Sequence, residues 1–385
     1  MARVSIVNVM LTRASTFLMG LSCLACLLWA LFPPTLDPTA LPARCRSDQL
    51  CRLGSLERVV IRPRLLSEWL TLGGKPESVL AVSDFSVLPL QMTPLGNIFP
   101  NTNHIRLLGR RVDDTALDDP ESLLSMAPDA VLVWAWQTDA YADVGLPVVE
   151  IDNTERADEV MTQQWRRLAS LTGARTRAEQ LIAVDDANRK AVAKETAALP
   201  DGTYRPSMLI VRRDRAGGAF WPISWHFLAA KQIPILGGTD VTLAHKVRGA
   251  GLNAEELYVM DPDIIILPSW GVDAGLKDAD PKNFYEEAAM QPLRAVKHRR
   301  VYRSPLFWPE MTGLAERALM MRWMAEIMYP QQTEPRLRAL FRKSYEDTYG
   351  YALSDDEIDE VLRLRQNVGS AGVERFARDA AGKGG

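Results

Sequence analysis

The sequence predicts an α/β chain of two doubly wound lobes with parallel sheets, joined by a long rigid helix. Three observations carry that expectation. The first is a pattern that occurs twice, Glu121-SLLSMA-Pro128-Asp129-AVLVW and Glu255-ELYVMD-Pro262-Asp263-IIILP. In each copy a Glu stands seven residues before Pro-Asp and a short apolar run follows. Proline lacks the N–H that a helix interior needs, and an apolar, β-rich run between turn residues suits a parallel strand covered on both faces. The copies begin 134 residues apart (121 and 255), a domain length and not a solenoid period. The second observation is that strand-like and helix-like segments alternate with short connections, which argues for parallel sheets with helices on both faces. The third is that residues 156–199 hold no Pro and only Gly173, with apolar residues at helical spacing.

Each element can be justified in order. Arg58-VVIRP opens the first lobe as a strand, followed by a helix around Leu65–Leu72. Val79-LAV is a second strand leading into the loop Ser83-Asp84-Phe85, while Asn97–Arg111 carries no decisive pattern. Asp119-Pro120-Glu121 starts a helix, with Asp as cap, Pro in the first position and Glu near the positive helix end. Strand Ala130–Trp134, a helix near Asp139–Val144 and strand Pro147–Ile151 complete the lobe. Two helices follow, broken near Gly173, and the second, Thr176–Ala198, is the candidate connector between lobes, with one more covering helix as the alternative.

The second lobe restarts with the strand Pro206-SMLIV, then a loop through Gly217-Gly218 to Pro222, a helix from Ser224 to Lys231 and a turn at Gly237–Asp240. Asn253 caps the second Glu helix, ahead of strand Ile264–Leu267. A short strand at Val301-Tyr302 precedes a strongly amphipathic helix over Gly313–Tyr329. Helices over Pro335–Thr348 and Ser354–Arg365 close the lobe, the last with the capping box Ser354-Asp-Asp-Glu357.

At 385 residues and 47% hydrophobic, the chain can bury two substantial cores. A net charge of −3 with mixed signs and no basic run gives no case for a nucleic-acid partner. Arg3 and Arg13 precede an uncharged apolar run, Ser15–Phe32, that ends at Pro33-Pro34. This is a secretory signal with cleavage points near Ala40 and Ala43, or a membrane anchor. Cys45 and Cys51 follow, either closing a small disulfide loop or standing as two unpaired thiols. The expected organisation is a signal or anchor with linker (1–43), an N-terminal lobe (44–155), a helical connector (156–199), a C-terminal lobe (200–370) and a disordered tail (371–385).

Catalytic signatures are missing. The sequence has no G-x-S-x-G, no Walker A loop, no complete G-x-G-x-x-G and no H-E-x-x-H. His104, His226, His245 and His298 stand far apart, so no metal site is expected from the protein's own ligands.

What the strands carry at their ends is aromatic and cationic. Ligands of doubly wound sheets bind beyond the carboxyl ends of the strands. Trp134 and Trp136 follow the first repeat strand, and Trp270 follows the second. Arg212 and Arg213 end the strand at Met208–Val211, with Trp225 in the loop beyond. Arg303 ends the strand at Val301-Tyr302 and leads to Trp308. Trp offers a stiff apolar face for stacking and Arg offers charge with bidentate hydrogen bonding, so the set reads as a ligand cleft between the lobes. Glu121 and Glu255 each sit in a first helical turn, where an acid is stabilised by the macrodipole. Their equal spacing from Pro-Asp also suits one acidic knob per lobe, docking on a two-fold partner.

These residues resemble the periplasmic substrate-binding proteins of ABC importers for iron–siderophore complexes, haem, cobalamin and related metal compounds. The doubled Glu-x6-Pro-Asp-strand, Met290-QPLRAVKHRRVY, the Leu314–Pro330 helix and Tyr349-GYALSDDEI carry the likeness, which spans roughly Arg58 to Arg365. The last two features are similar to a subgroup of iron-complex and molybdate binders. The resemblance implies a non-enzymatic, monomeric periplasmic protein without a cofactor, capturing an iron chelate for an ABC permease. It also implies that Glu121 and Glu255 dock on permease arginines and that Trp134 and Trp308 line the cleft. Rival readings are a molybdate or tungstate binder, a two-lobed cofactor-holding enzyme and a membrane-anchored sensor.

Overall fold

The computed structural model describes residues 56–108, 120–142, 145–151, 158–213, 219–223, 228–247, 251–269, 280–306 and 316–378. The N-terminal apolar run, Cys45 and Cys51 lie outside these residues. No helix among the described residues is long and apolar enough to cross a membrane.

The first lobe is a five-stranded sheet of β1 (Val59–Ile61), β2 (Val79–Ser83), β3 (Arg106–Leu108), β4 (Ala130–Trp134) and β5 (Val148–Ile151). Its order is β3-β2-β1-β4-β5 and every pairing is parallel, so the order reverses between β1 and β4. Its helices are α1 (Leu66–Thr71), α2 (Leu88–Met92), α3 (Leu95–Ile98), α4 (Pro120–Ser125) and α5 (Thr138–Ala142).

The second lobe contains β6 (Ser207–Arg213), β7 (Phe220–Pro222), β8 (Thr239–Asp240), β9 (Ile264–Leu267) and β10 (Val301–Arg303). Its parallel pairs β8–β6, β6–β9 and β9–β10 repeat the β2–β1, β1–β4 and β4–β5 pairs of the first lobe. The sequence reading expected a wholly parallel sheet; the sheet departs from that because β7 folds back antiparallel onto the end of β6. Helices α8 (Leu228–Ile235), α9 (Val241–Ala244), α10 (Ala254–Met260), α11 (Pro281–Glu286) and α12 (Arg294–Lys297) complete this lobe.

Between the lobes run α6 (Asp158–Thr172) and α7 (Arg175–Ala197). They break at Gly173, whose φ of +78° is open to glycine at little cost. The 23 residues of α7 span about 34 Å at the helical rise. The C-terminal helices α13 (Glu316–Met328), α14 (Leu337–Tyr349) and α15 (Asp355–Val361) pack behind, with α13 lying against α7, α14 and α8.

Strand alternation builds two layers of core. Val59 and Ile61 of β1, and Met208 and Ile210 of β6, face one continuous cluster that also takes in Leu168, Leu181, Leu319 and Trp323. Val60 and Val131 face a separate cluster of the first lobe, and Leu209, Val211 and Ile265 one of the second. Both faces of each sheet are therefore covered, which explains why these strands read as unbroken apolar runs.

Two expectations are corrected. Helix α13 is not amphipathic: all 13 of its residues are buried. Its arginines are accommodated by partners, Arg317 by Asp185 and Arg322 by Glu195 and Glu326. The tail placed as disordered over 371–385 is packed through Arg378. Phe376 is buried, Arg375 donates to the carbonyl oxygens of Pro330 (2.6 Å) and Thr333 (2.7 Å), and Arg338 donates to that of Phe376 (3.1 Å).

Candidate functional site

The Pro-Asp part of the doubled motif acts at the amino ends of the sheets, where it fixes strand starts. Helix α4 gives way to a left-handed residue, Ala127 (φ 45°), and α10 to Asp261 (φ 33°), each immediately before a proline. The aspartate after that proline then caps the first strand of its own lobe. Asp129 Oδ2 accepts from the N–H of Arg58 at 2.9 Å, and Asp263 Oδ2 accepts from the N–H of Ser207 at 2.8 Å. With the starts fixed, the carboxyl ends of β1, β2 and β4, and of β6, β9 and β10, carry the loops where doubly wound sheets bind ligands.

In the first lobe, β1 runs into Arg62, whose N–H donates to the Leu132 carbonyl at 3.0 Å. This extends the β1–β4 ladder at the point where strand order reverses, and the Arg62 side chain is buried there. Beside it, Ser83 Oγ at the end of β2 lies 2.9 Å from Ser86 Oγ, which donates to the Pro63 carbonyl at 3.1 Å. Beyond β4, Trp134 is half-buried against the core and its backbone N–H donates to Gln137 Oε1 at 3.2 Å. Trp136 stands 54% exposed.

In the second lobe, Arg212 and Arg213 are the last residues of β6 and pair with Trp221 and Phe220 across the hairpin. Arg213 is held by two bonds to Glu287, 2.6 and 2.9 Å, and its guanidinium lies 5.3 Å from the Phe220 ring centroid. Arg212 is half-buried. Arg303, at the end of β10, is only 3% exposed. Its Nε donates to Ser269 Oγ at 3.0 Å and its N–H donates to Asn367 Oδ1 at 2.7 Å. The Ser269 hydroxyl donates to the Ser304 carbonyl, and Ser304 Oγ donates to the Pro305 carbonyl at 3.1 Å while accepting from the Ser269 N–H at 2.9 Å. The loop serines thus spend their hydrogens on the backbone and position the arginine.

Of the other residues singled out by sequence, Trp225, Trp270 and Trp308 lie outside the described residues. Glu121 is the second residue of α4. Glu255 is exposed in the first turn of α10, a helix closed at its start by reciprocal Asn253–Glu256 bonds of 2.9 and 2.8 Å. Sequence reasoning passed over Arg62. Its signal was a cation directly after a three-residue apolar strand and directly before proline. Among the described residues no cluster of three or more His, Cys, Asp or Glu side chains is placed to hold a metal ion.

Comparison with known proteins agrees with this architecture. A family model described as periplasmic binding protein matches residues 66–305. A periplasmic solute binding protein from Veillonella parvula superposes with a TM-score of 0.67 at 22% identity, covering 82% of this chain and 94% of that one. The Haemophilus influenzae molybdate-binding protein MolA, bound to molybdate, gives 0.62 at 17% identity over 78% of this chain and 94% of its own. Helicobacter pylori CeuE, in a Ni-His complex, gives 0.60 at 15% identity over 80% and 94%. At these identities the superpositions speak for the fold. Comparison with curated proteins finds no match.

Proposed function

The chain belongs to the periplasmic binding protein family, a family of solute-binding proteins and not of enzymes, and from that premise we propose that it serves an ABC importer, capturing a ferric siderophore-type chelate between its lobes. In this reading it is exported to the periplasm, acts as a monomer without a cofactor, and delivers its ligand to a permease in the inner membrane.

The observation that carries the ligand class is the pairing of aromatic surface with positioned cations at strand ends. In this reading Trp136 offers its exposed indole face to a planar or chelated organic ligand, and Arg303, positioned by Ser269 at the end of β10, meets an anionic group. Arg62 and Arg212 add cations at the ends of β1 and β6, and Trp134, Trp225, Trp270 and Trp308 complete the lining. Arg213, occupied by Glu287, supports that edge of the sheet. Glu121 and Glu255 are the docking acids, one per lobe.

A molybdate or tungstate reading draws on the likeness to the molybdate-bound MolA fold and on Arg303. It is the weaker reading, because an oxyanion cage needs free hydroxyl donors and both Ser269 and Ser304 donate within their own loop. A tryptophan-fluorescence titration with ferric siderophores, haem, cobalamin, molybdate and tungstate separates the two. Saturable quenching by an organic chelate supports the proposal, and a response to the oxyanions alone replaces it. Silence across the panel removes the ligand assignment.

A further inference from the structure

Two buried carboxyl groups, one in the first lobe and one on the C-terminal helices, play no part in the ligand-binding reading. Glu68 is the third residue of α1, shortly after Arg62, and is 1% exposed. Glu316 is the first residue of α13, eight residues after Trp308 in sequence, and is 8% exposed. Glu68 Oε2 accepts from Ser67 Oγ at 2.8 Å. Glu316 Oε1 receives only a long bond, 3.4 Å, from the Tyr345 hydroxyl, and among the described residues Glu316 Oε2 has no hydrogen-bond partner.

Among the described residues, no hydrogen bond or ion pair brings a cation to either carboxyl. From α1 the pocket receives Ser67 and Thr71, and from α14 it receives Tyr345 and Tyr349. Glu357 of α15 adds a further negative charge that acts on Tyr345. The cation contributed by α7 is Arg177, which acts on Tyr349 and donates to the carbonyls of Thr71 (3.4 Å) and Thr348. Arg317, next to Glu316, is directed to Asp185 and to the Trp165 ring. Buried carboxyl groups without a counter-charge, one of them also raised by the charge of the other, are costly to ionise, and a retained proton is the least expensive remedy.

We propose that Glu68 and Glu316 form a proton-held latch between the first lobe and the C-terminal helices, closed while the pair keeps its protons and loosened when it releases them. Burial pushes the Glu68 carboxyl up to about 7, and burial together with the charge of Glu68 pushes Glu316 up to about 8. Between the ordinary glutamate value of 4.5 and these raised values the folded chain holds more protons than the unfolded chain. Stability therefore falls as pH rises across that window and levels off above it. Glu68 lies on the helix that follows Arg62 and Glu316 begins the helix that follows Trp308 in sequence, so in this proposal release of the protons loosens the frame of the cleft whichever ligand occupies it.

The test is thermal unfolding of the full chain without ligand between about pH 5.5 and about pH 9. It compares the native protein with Glu68→Gln, Glu316→Gln and the double variant. The native Tm should decline through the window, the double variant should be nearly flat, and each single variant should fall between them. Amide hydrogen exchange in Leu66–Thr71 and Glu316–Met328 should quicken over the same window in the native protein alone. A double variant that keeps the native slope overturns the proposal. If the double variant does not fold, infrared spectra of the native protein decide. A protonated-carboxyl band at about pH 6 that is lost by about pH 9 and weakened in either single variant upholds the latch, and no such band at about pH 6 overturns it. Added sodium or calcium that restores the native Tm at high pH, but not that of Glu316→Gln, also overturns it, because a metal cation would then hold the pair.

Discussion

Asp129 and Asp263 perform the same task in the two lobes: each accepts the backbone N–H at the start of the strand that begins its lobe. The motif that revealed the repeat in sequence is thus a strand-alignment device as well as a helix stop. Asp263 carries the heavier duty, accepting also from Ser207 Oγ at 2.8 Å and from the Tyr204 hydroxyl at 2.6 Å, with Arg294 at 2.9 Å. Burial pushes its carboxyl up, but these donors outweigh burial and hold it below its usual 3.8. The stabilisation it brings is present above that ordinary value and is lost as pH falls through the lowered one. Replacing Asp263 by Ala should cost about 2 kcal/mol at neutral pH, in keeping with hydrogen bonds to a charged acceptor. Urea unfolding should show that difference shrinking in acid.

Ala127 and Asp261 occupy the same left-handed position before Pro128 and Pro262, yet glycine should help only one of them. A side chain in this conformation costs about 1 kcal/mol. Ala127→Gly relieves that strain without removing a side-chain bond and should raise the unfolding midpoint accordingly. Asp261→Gly relieves it too, but deletes the carboxylate that receives the N–H and Nε of Arg294, both at 2.8 Å. It should bring no gain. Paired urea titrations of the two variants check the contrast.

What the sequence made legible follows from how strongly each feature was written. The buried strands of both lobes were plain because both faces are covered, leaving runs such as Val59–Ile61 and Ile264–Leu267 wholly apolar. Strand β3 was not, because Arg106 and Leu107 are exposed at the sheet edge and only Leu108 is buried. Helix α13 read as amphipathic because its Glu and Arg residues look like a solvent face. Their partners, Asp185 and Glu195, lie more than a hundred residues away on α7 and show no local pattern. Glu68 was hidden for a related reason: one acid in LSEWLT reads as a helix surface until burial is known. For the site, the aromatic and cationic strand ends were visible, but nothing in sequence shows that Arg213 is directed to Glu287 while Arg303 is directed to Ser269.

Arg303 offers the sharpest probe of the ligand proposal. Its Nε bond to Ser269 fixes the plane of the guanidinium, so lysine cannot reproduce the arrangement. Both Arg303→Ala and Arg303→Lys should weaken binding of an anionic chelate by at least about tenfold, as expected for a lost charge-assisted bond. Ser269→Ala should weaken it less, because the charge remains and only its aim is relaxed. Fluorescence titration of the three variants against the same chelate ranks them. Equal affinities would remove Arg303 from the site.

The docking proposal separates transport from capture. Glu255 lies exposed in the first turn of α10, and none of the side-chain bonds that position Arg213 or Arg303 involves it. Replacing Glu121 and Glu255 together by Ala should abolish uptake in cells while leaving chelate affinity within about twofold, since acids facing a partner contribute to that partner's recognition and not to the ligand's. A collapse of affinity in purified protein would return both residues to a structural or ligand-binding role.

The bridge helix depends on one buried anion. Asp185 of α7 is 2% exposed and receives Arg189 Nε at 2.9 Å together with the guanidinium of Arg317 from α13. Arg317 in turn lies 4.4 Å from the ring centroid of Trp165 on α6, so a single charge organises three helices. Asp185→Ala removes the anion that neutralises Arg317 within the core and should destabilise the protein by about 3–5 kcal/mol. Arg189, nearer the surface, can turn toward water, whereas Arg317 cannot. Replacing both partners, as Asp185→Leu with Arg317→Met, deletes the buried charges along with their attraction and should recover most of the loss. A double-mutant cycle in urea measures the coupling. A double variant as unstable as Asp185→Ala would show that the pair supplies packing or helix register that apolar side chains cannot replace.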